Sequence, residues 1–206
     1  MIHQIATNWW RLIWLGILAG GGQNSVAQEE FELDNSHTAV IFSISHFNLS
    51  YTYGRFNNCR GKLIINQGNP ASSKFNFSVD AKSIDTNNAD RDQHLLNEDF
   101  LAADRFPAIE FTSKSVEVEK NKYTVIGIMK MHGQQKEISI PLQLLGIGKG
   151  PQGEIRMGMI GRFVVKRSEF GMDKFLDVVG DDVAITFSFE AVRQEEADDK
   201  SASEEK

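Results

Sequence analysis

The sequence predicts an all-β protein: an eight-stranded antiparallel barrel with a short helical segment closing one end. Three observations lead there. Apolar and polar residues alternate with a period of two over most of the chain, as in Phe75, Phe77 and Val79 against Asn76, Ser78 and Asp80. Only Thr86–Pro107 departs from that period and reads as helical. So little helix cannot cover a sheet with one apolar face, and rolling the sheet shut buries that face and removes its edges.

The first 27 residues have the make-up of an export signal. Arg11 supplies a positive start, Leu12–Ala19 an apolar run too short to span a bilayer, and Ser25-Val26-Ala27 a small-residue cleavage site. Cleavage after Ala27 and export to the periplasm are expected. Loss of Arg11 takes the formal charge from −6 to −7. The stretch 194–206 holds six acidic residues and two lysines and is expected to be a disordered, solubilising tail. The domain is thus 28–193. Its slightly acidic balance carries no basic footprint, and nucleic acid is not an expected partner.

The elements follow in order. Phe31 and Leu33 mark a first short strand, and Val40, Phe42 and Ile44 a second. Tyr53–Ile65 is extended, with Gly54 and Gly61 as corners. Cys59, alone after export, cannot form an internal disulfide and reads as a small apolar filler. Gly68-Asn69-Pro70 is a turn, and Lys74–Ala81 the clearest amphipathic strand. In the helical stretch, Asp90 with Gln93 forms a capping-box pattern, and Asn97 can begin a second short helix. Leu95, Leu96, Phe100 and Leu101 give this stopper an apolar side, and Pro107 ends it.

Strand resumes at Ile109–Val118, where the apolar phase slips between Phe111 and Val116 and indicates a bulge. A turn at Asn121-Lys122 leads into Tyr123–Met131, and His132-Gly133-Gln134 turns into Ile138–Leu144. Pro141 marks an edge, bulge or rim. Gly146–Gly153 connects to Ile155–Val165, Arg167–Gly180 is a long loop, and Val183–Phe189 is the last strand.

An eight-stranded barrel is either filled by side chains or holds one small ligand. Fourteen phenylalanines provide stiff apolar walls, and Met129, Met131, Met157 and Met159 deformable ones. Gly127 and Gly161, at mid-strand, leave room inside or permit sharp bending. A hollow barrel is the favoured reading, and a solid structural barrel its rival. Burying a methylene contributes about 0.8 kcal/mol, so a few five-carbon units would give micromolar binding after association costs. Strand phase selects Phe42, Phe56, Phe75, Phe77, Phe111, Met129, Ile140, Leu142, Phe163 and Phe187 as cavity walls. Arg91 and His94 are expected at the mouth, against a polar head group.

Catalytic and cofactor signals are weak. The four histidines of the exported chain form no metal-spaced pair, no nucleophile elbow is present, and no cofactor or metal is expected. Arg91, Asp92 and His94 could form a catalytic cluster acting on a held lipid. The reading preferred here is a salt-bridge and cap network that fixes the stopper to the rim.

Several motifs together resemble the YceI-like domain, a family of periplasmic polyisoprenoid- and lipid-binding proteins. They are Asp34-Asn35-Ser36-His37-Thr38-Ala39-Val40-Ile41-Phe42; Ser83-Ile84-Asp85-Thr86 with Arg91-Asp92-Gln93-His94-Leu95 and Asp99-Phe100; Phe106–Phe111; His132-Gly133; Arg167-Ser168-Glu169-Phe170-Gly171; and Gly180-Asp181-Asp182-Val183. The resemblance runs from about Glu30 to Val192. It implies a lipocalin-like barrel binding an apolar chain (polyisoprenoid, isoprenoid quinone or fatty acyl) without catalysis. It also implies export and, in many members, a homodimer. Transient contact with a membrane or membrane protein is a further expected partnership. Cys59-Arg60 departs from the family's usual apolar-small pair before Gly61.

Overall fold

The computed structural model describes residues 28–195; the expected signal and most of the acidic tail lie outside the described residues. Ten strands form one antiparallel sheet. They are β1 (Gln28–His46), β2 (Ser50–Phe56), β3 (Cys59–Asn66), β4 (Lys74–Asp80), β5 (Ile84–Asp85), β6 (Ala108–Glu119), β7 (Lys122–Met131), β8 (Gln134–Lys149), β9 (Ile155–Lys166) and β10 (Val179–Arg193). Eight of them, β1-β3-β4-β6-β7-β8-β9-β10, close into a ring through the pairing of β10 with β1. The two remaining strands, β2 and β5, extend the wall at one end. The expected eight-stranded antiparallel barrel with one short helix, α1 (Ala89–Leu95), is therefore the fold.

Element boundaries differ from the sequence reading in ways that have local causes. The two expected first strands are one, β1, whose register slips between Asp34 and Ala39. That slip is a bulge built by polar side chains: Asp34 accepts from the Ser36 backbone N–H at 3.0 Å, and Thr38 Oγ1 donates to the Asp34 carbonyl at 2.8 Å. Conversely, the single extended run Tyr53–Ile65 breaks at Asn57-Asn58 into β2 and β3, which pair with the two halves of β1. The Asn35 carboxamide clamps the break, accepting from the Cys59 N–H at 2.7 Å and donating to the Asn57 carbonyl at 3.2 Å. Gly146 and Gly148 belong to β8, and the turn is confined to 150–153. The β6 bulge falls at Lys114, between Ser113 and Ser115, inside the window the phase slip indicates. Pro141 sits where the β8–β9 ladder stops at Leu142, so its missing N–H leaves no gap in that ladder.

The barrel has two unlike halves. At the end where β1 begins and β10 finishes, Phe31, Leu63, Phe75, Val125, Leu142, Met157, Met159 and Phe189 meet as a solid core, each almost wholly buried. Toward the other end a platform of phenylalanines closes that core. Phe77 packs edge-on to Phe187 at 4.9 Å, tilted on Phe189 at 5.6 Å and stacked with Phe111 at 6.2 Å. The inward glycines make room for these neighbours rather than for empty space: a Cβ on Gly127 would strike the Phe111 ring, on Gly61 the Phe77 ring, and on Gly161 the Leu142 side chain.

Outside the solid half, Arg156 ties the β1 bulge to β9 and β10. Its guanidinium reaches Asp34 at 2.7 Å, Glu154 at 2.7 Å and Glu190 at 2.9 Å. Hydrogen bonds from the Ser36 hydroxyl, then Arg156 and His37, hold the Asp34 carboxyl well below the usual carboxylate range. A carboxyl so depressed contributes stability that is full above the unfolded pKa of about 3.9 and is lost as pH falls below it. Asp34→Asn is therefore expected to flatten the acid limb of the stability curve below about pH 4. Urea midpoints measured against pH check this, and an unchanged limb would contradict it.

Candidate functional site

Beyond the phenylalanine platform the barrel is hollow. The cavity measures about 460 Å³, and its walls are almost entirely apolar. Strand alternation brings Val40, Phe42 and Ile44 of β1 inward, with Phe163 and Val165 of β9 and Val183, Ile185 and Phe187 of β10. Met129 and Met131 of β7 and Ile140 of β8 face them. Leu95, Phe100 and Leu101 of the helical stopper complete the wall between β5 and β6.

Ten of the twelve residues selected from the sequence line this space: Phe42, Phe56, Phe77, Phe111, Met129, Ile140, Phe163, Phe187, Arg91 and His94. Phe75 and Leu142 do not. They have the inward phase but lie in the solid half, 0 % and 2 % exposed. Met157 and Met159 share their fate, so only Met129 and Met131 of the four expected soft walls reach the cavity. Phase tells a strand's inner face but not how far along the barrel a residue sits.

The stopper is built differently from its sequence pattern. Asn88, not Asp90, caps α1, its side-chain oxygen accepting from the Arg91 N–H at 3.0 Å. Asp90 and Asp92 fall in the positively polarised first turn. Asn97 organises turns, accepting from the Asp99 and Ala102 N–H groups, and no second helix follows. Asp92 is spent on Thr86, accepting from its N–H at 2.9 Å and its hydroxyl at 2.6 Å. Arg91 donates to the same residue, to Oγ1 at 2.8 Å and to the carbonyl at 2.7 Å. The His94 ring meets Phe100 edge-on at 5.2 Å and Phe175 at 6.2 Å. Asp92 therefore does not orient His94: it and Arg91 each bind Thr86 with no ion pair between them, and His94 stands apart among aromatic rings, so the expected three-residue salt-bridge network is not formed.

The sequence reading missed Arg167. It is 3 % exposed yet lines the cavity. Its guanidinium donates only to backbone carbonyls: Gly180 at 2.9 Å, Met172 at 2.7 Å and Val179 at 2.8 Å. Burial lowers its pKa, opposed by the charges of Asp181 and Asp173. An arginine nonetheless stays protonated, so the cavity has a buried positive charge at its apolar wall besides the exposed one of Arg91. Ser168 adds two bonds to Asp181, at 2.9 Å from its N–H and 2.8 Å from its hydroxyl. The sequence marks the Ser168–Asp181 contact only by placing the two at the ends of one loop, and nothing in it marks the carbonyl partners of Arg167.

Other sequence expectations settle as structural. Cys59 is buried, and desolvation pushes its thiol up to about 12, as befits a filler. His132, in its turn, donates from Nδ1 to the Phe170 carbonyl at 3.0 Å. No cluster of three metal-ligating side chains occurs among the described residues.

The mouth is marked by His46, Arg91, His94 and Phe175, lining residues that meet solvent, as Glu110 on the β6 side also does. It lies beside the β1–β2 hairpin tip and the loop 171–178, which are joined by the Phe47 N–H donating to the Val178 carbonyl at 2.7 Å.

Comparison with known proteins places this geometry among relatives. Residues 31–191 match the model of the YceI-like domain. A UPF0312 protein of Pectobacterium atrosepticum is 31% identical over 180 residues, covering 87% of this chain and 94% of the relative. The crystal structure of Burkholderia cenocepacia BcnA superposes with a TM-score of 0.69 at 21% identity, over 77% of this chain and 98% of that one. A polyisoprenoid binding domain from Saccharophagus degradans, implicated in plant cell wall breakdown, gives a TM-score of 0.64 at 13% identity, over 80% and 98%. At those identities the two structures establish the shared fold.

Proposed function

This chain belongs to the YceI-like family, and from that premise we propose that it binds a long apolar lipid in the hollow half of its barrel. The bound chain is a polyisoprenoid, an isoprenoid quinone or a fatty-acyl lipid, carried or sequestered without chemical change. The site of action is the periplasm, reached by export and cleavage after Ala27. The Saccharophagus domain, named for polyisoprenoid binding, supports the ligand class by its fold. The observation that carries the reading is the apolar cavity of about 460 Å³ above the phenylalanine platform.

Its size constrains the ligand. A dry apolar cavity of about 150 Å³ takes one benzene, so this one holds on the order of 18 carbon atoms. That is one fatty-acyl chain or three to four isoprene units. A longer polyisoprenoid would bury its tail end and leave the remainder at the mouth. Eighteen buried carbons exceed the few needed for micromolar affinity, so the head group sets orientation more than strength. Arg91, His94 and the buried Arg167 give that end a positive or hydrogen-bond-donating character.

Native mass spectrometry of the protein purified after export tests this reading. Adducts of defined lipid mass, lost on delipidation and restored by a long-chain lipid, are the expected result. A bare protein that takes up no lipid would count against it. The same spectrum reports whether residues 1–27 have been removed.

A further inference from the structure

We propose that the rim of the cavity mouth is a membrane-docking surface, with Phe47, Leu49, Phe175 and Leu176 entering the interfacial layer of an electrically neutral bilayer. These four side chains are 54 %, 88 %, 47 % and 43 % exposed. They come from the β1–β2 hairpin tip and the loop before β10, two segments held together by the Phe47–Val178 hydrogen bond.

Two of the four sit where their residue type is disfavoured twice over. Phe47 has φ 52 and Phe175 has φ 58, the left-handed region that suits glycine or asparagine. A bulky aromatic there is strained, and leaving it half in water forgoes the burial that would offset the strain. The contacts that offset this are few: Phe175 stacks on Phe100 and meets His94, and Phe47 meets His46 edge-on, with about half of each ring left in solvent. Both residues flank the same opening, and Phe175 also lines the cavity.

The choice of partner follows from charge, area and topology. From Ser43 to Gly54 there is no acidic or basic residue apart from His46, and the loop 171–178 carries Asp173, Lys174 and Asp177. That surface lacks the cluster of lysines or arginines that reads an anionic membrane. Aromatic and aliphatic tips without net positive charge suit a zwitterionic interface. A second copy of the chain is a poor occupant. Four half-exposed side chains offer roughly 400 Å² at ~100 Å² apiece, about half of what a stable partner needs on each side, ~800 Å². The described chain ends on the opposite side: β10 closes at Arg193 beside Phe31, at the far end of β1 from His46.

This docking rests on the lipid-carrier reading for its purpose, but the two can fail separately. The test is co-sedimentation of the exported protein with phosphatidylcholine vesicles, wild type against the double variant Phe47→Asn, Leu49→Ser. Asparagine tolerates the left-handed backbone, so the variant should fold at least as well as the wild type. The wild type is expected to bind vesicles, and the variant to bind about 100-fold more weakly. Adding phosphatidylglycerol should not strengthen binding. A wild type that stays in the supernatant, a folded variant that binds equally well, or binding only to phosphatidylglycerol vesicles would overturn the proposal. So would a wild-type dimer that the variant abolishes. Vesicle binding with a bare cavity would support docking and overturn the carrier reading; a lipid-filled protein that ignores vesicles would do the reverse.

Discussion

Replacing Phe163 with aspartate is expected to abolish lipid uptake while leaving the barrel folded. Phe163 projects from β9 into the cavity and is only partly shielded. In the empty protein, water entering from the mouth can solvate the new carboxylate. An alkyl chain in the cavity would strip that water away, and an unpaired buried carboxylate costs several kcal/mol. Affinity should therefore fall by about 1000-fold or more, as 1.4 kcal/mol corresponds to tenfold. Phe77→Asp provides the contrast. Phe77 is 7 % exposed and sits among Phe111, Phe187 and Phe189. Losing a ring from that platform costs about 3–5 kcal/mol before the buried charge is counted, so this variant should fail to fold. Titration with a fluorescent long-chain lipid, alongside thermal melting, separates the two outcomes. A folded Phe163→Asp protein with unchanged uptake would mean that the lipid sits elsewhere.

Arg167→Met should cost about 3 kcal/mol or more of stability and loosen the loop at the mouth. The guanidinium makes three hydrogen bonds of 2.7–2.9 Å, to the carbonyls of Met172, Val179 and Gly180. Bonds to a charged donor contribute about 1.5–3 kcal/mol each, and orphaned buried carbonyls add their own desolvation penalty. Relief from burying a cation returns part of this, which is why the expected loss is below the plain sum. Arg167→Lys should rescue little, because one ammonium cannot span a three-point fork. Denaturant midpoints give the magnitude, and amide exchange over 168–180 gives the location. A loss under about 1 kcal/mol with unchanged exchange would show that the loop holds its shape by other means.

Much of the site was legible before any coordinates. The period-two alternation in β1, β6, β7, β9 and β10 selects Phe42, Phe111, Met129, Phe163 and Phe187, which line the cavity. It also selected Phe75 and Leu142, which are inward but plugged into the solid half. The capping-box pattern at Asp90 and Gln93 misplaced the start of α1, because Asn88 lies two residues nearer the turn and offers an equally good oxygen. Arg167 escaped notice because its partners are main-chain carbonyls, which carry no residue-type signal.

What the sequence by itself determined is the fold and the two faces of every strand. Alternation, turn residues and one short helical interruption are local patterns, and a chain with so little helix has few ways other than closure to bury an apolar sheet face. Only the tertiary structure decided where the barrel is filled and where it is hollow. That outcome depends on which rings meet across the axis: Phe77 reaches Phe187 and Phe189 and makes a floor, whereas Phe42, Ile185 and Phe163, neighbours across β1, β10 and β9, form one wall of the space above it. Packing across a closed sheet is a relation between residues as far apart as Phe31 and Arg193, and no local period records it.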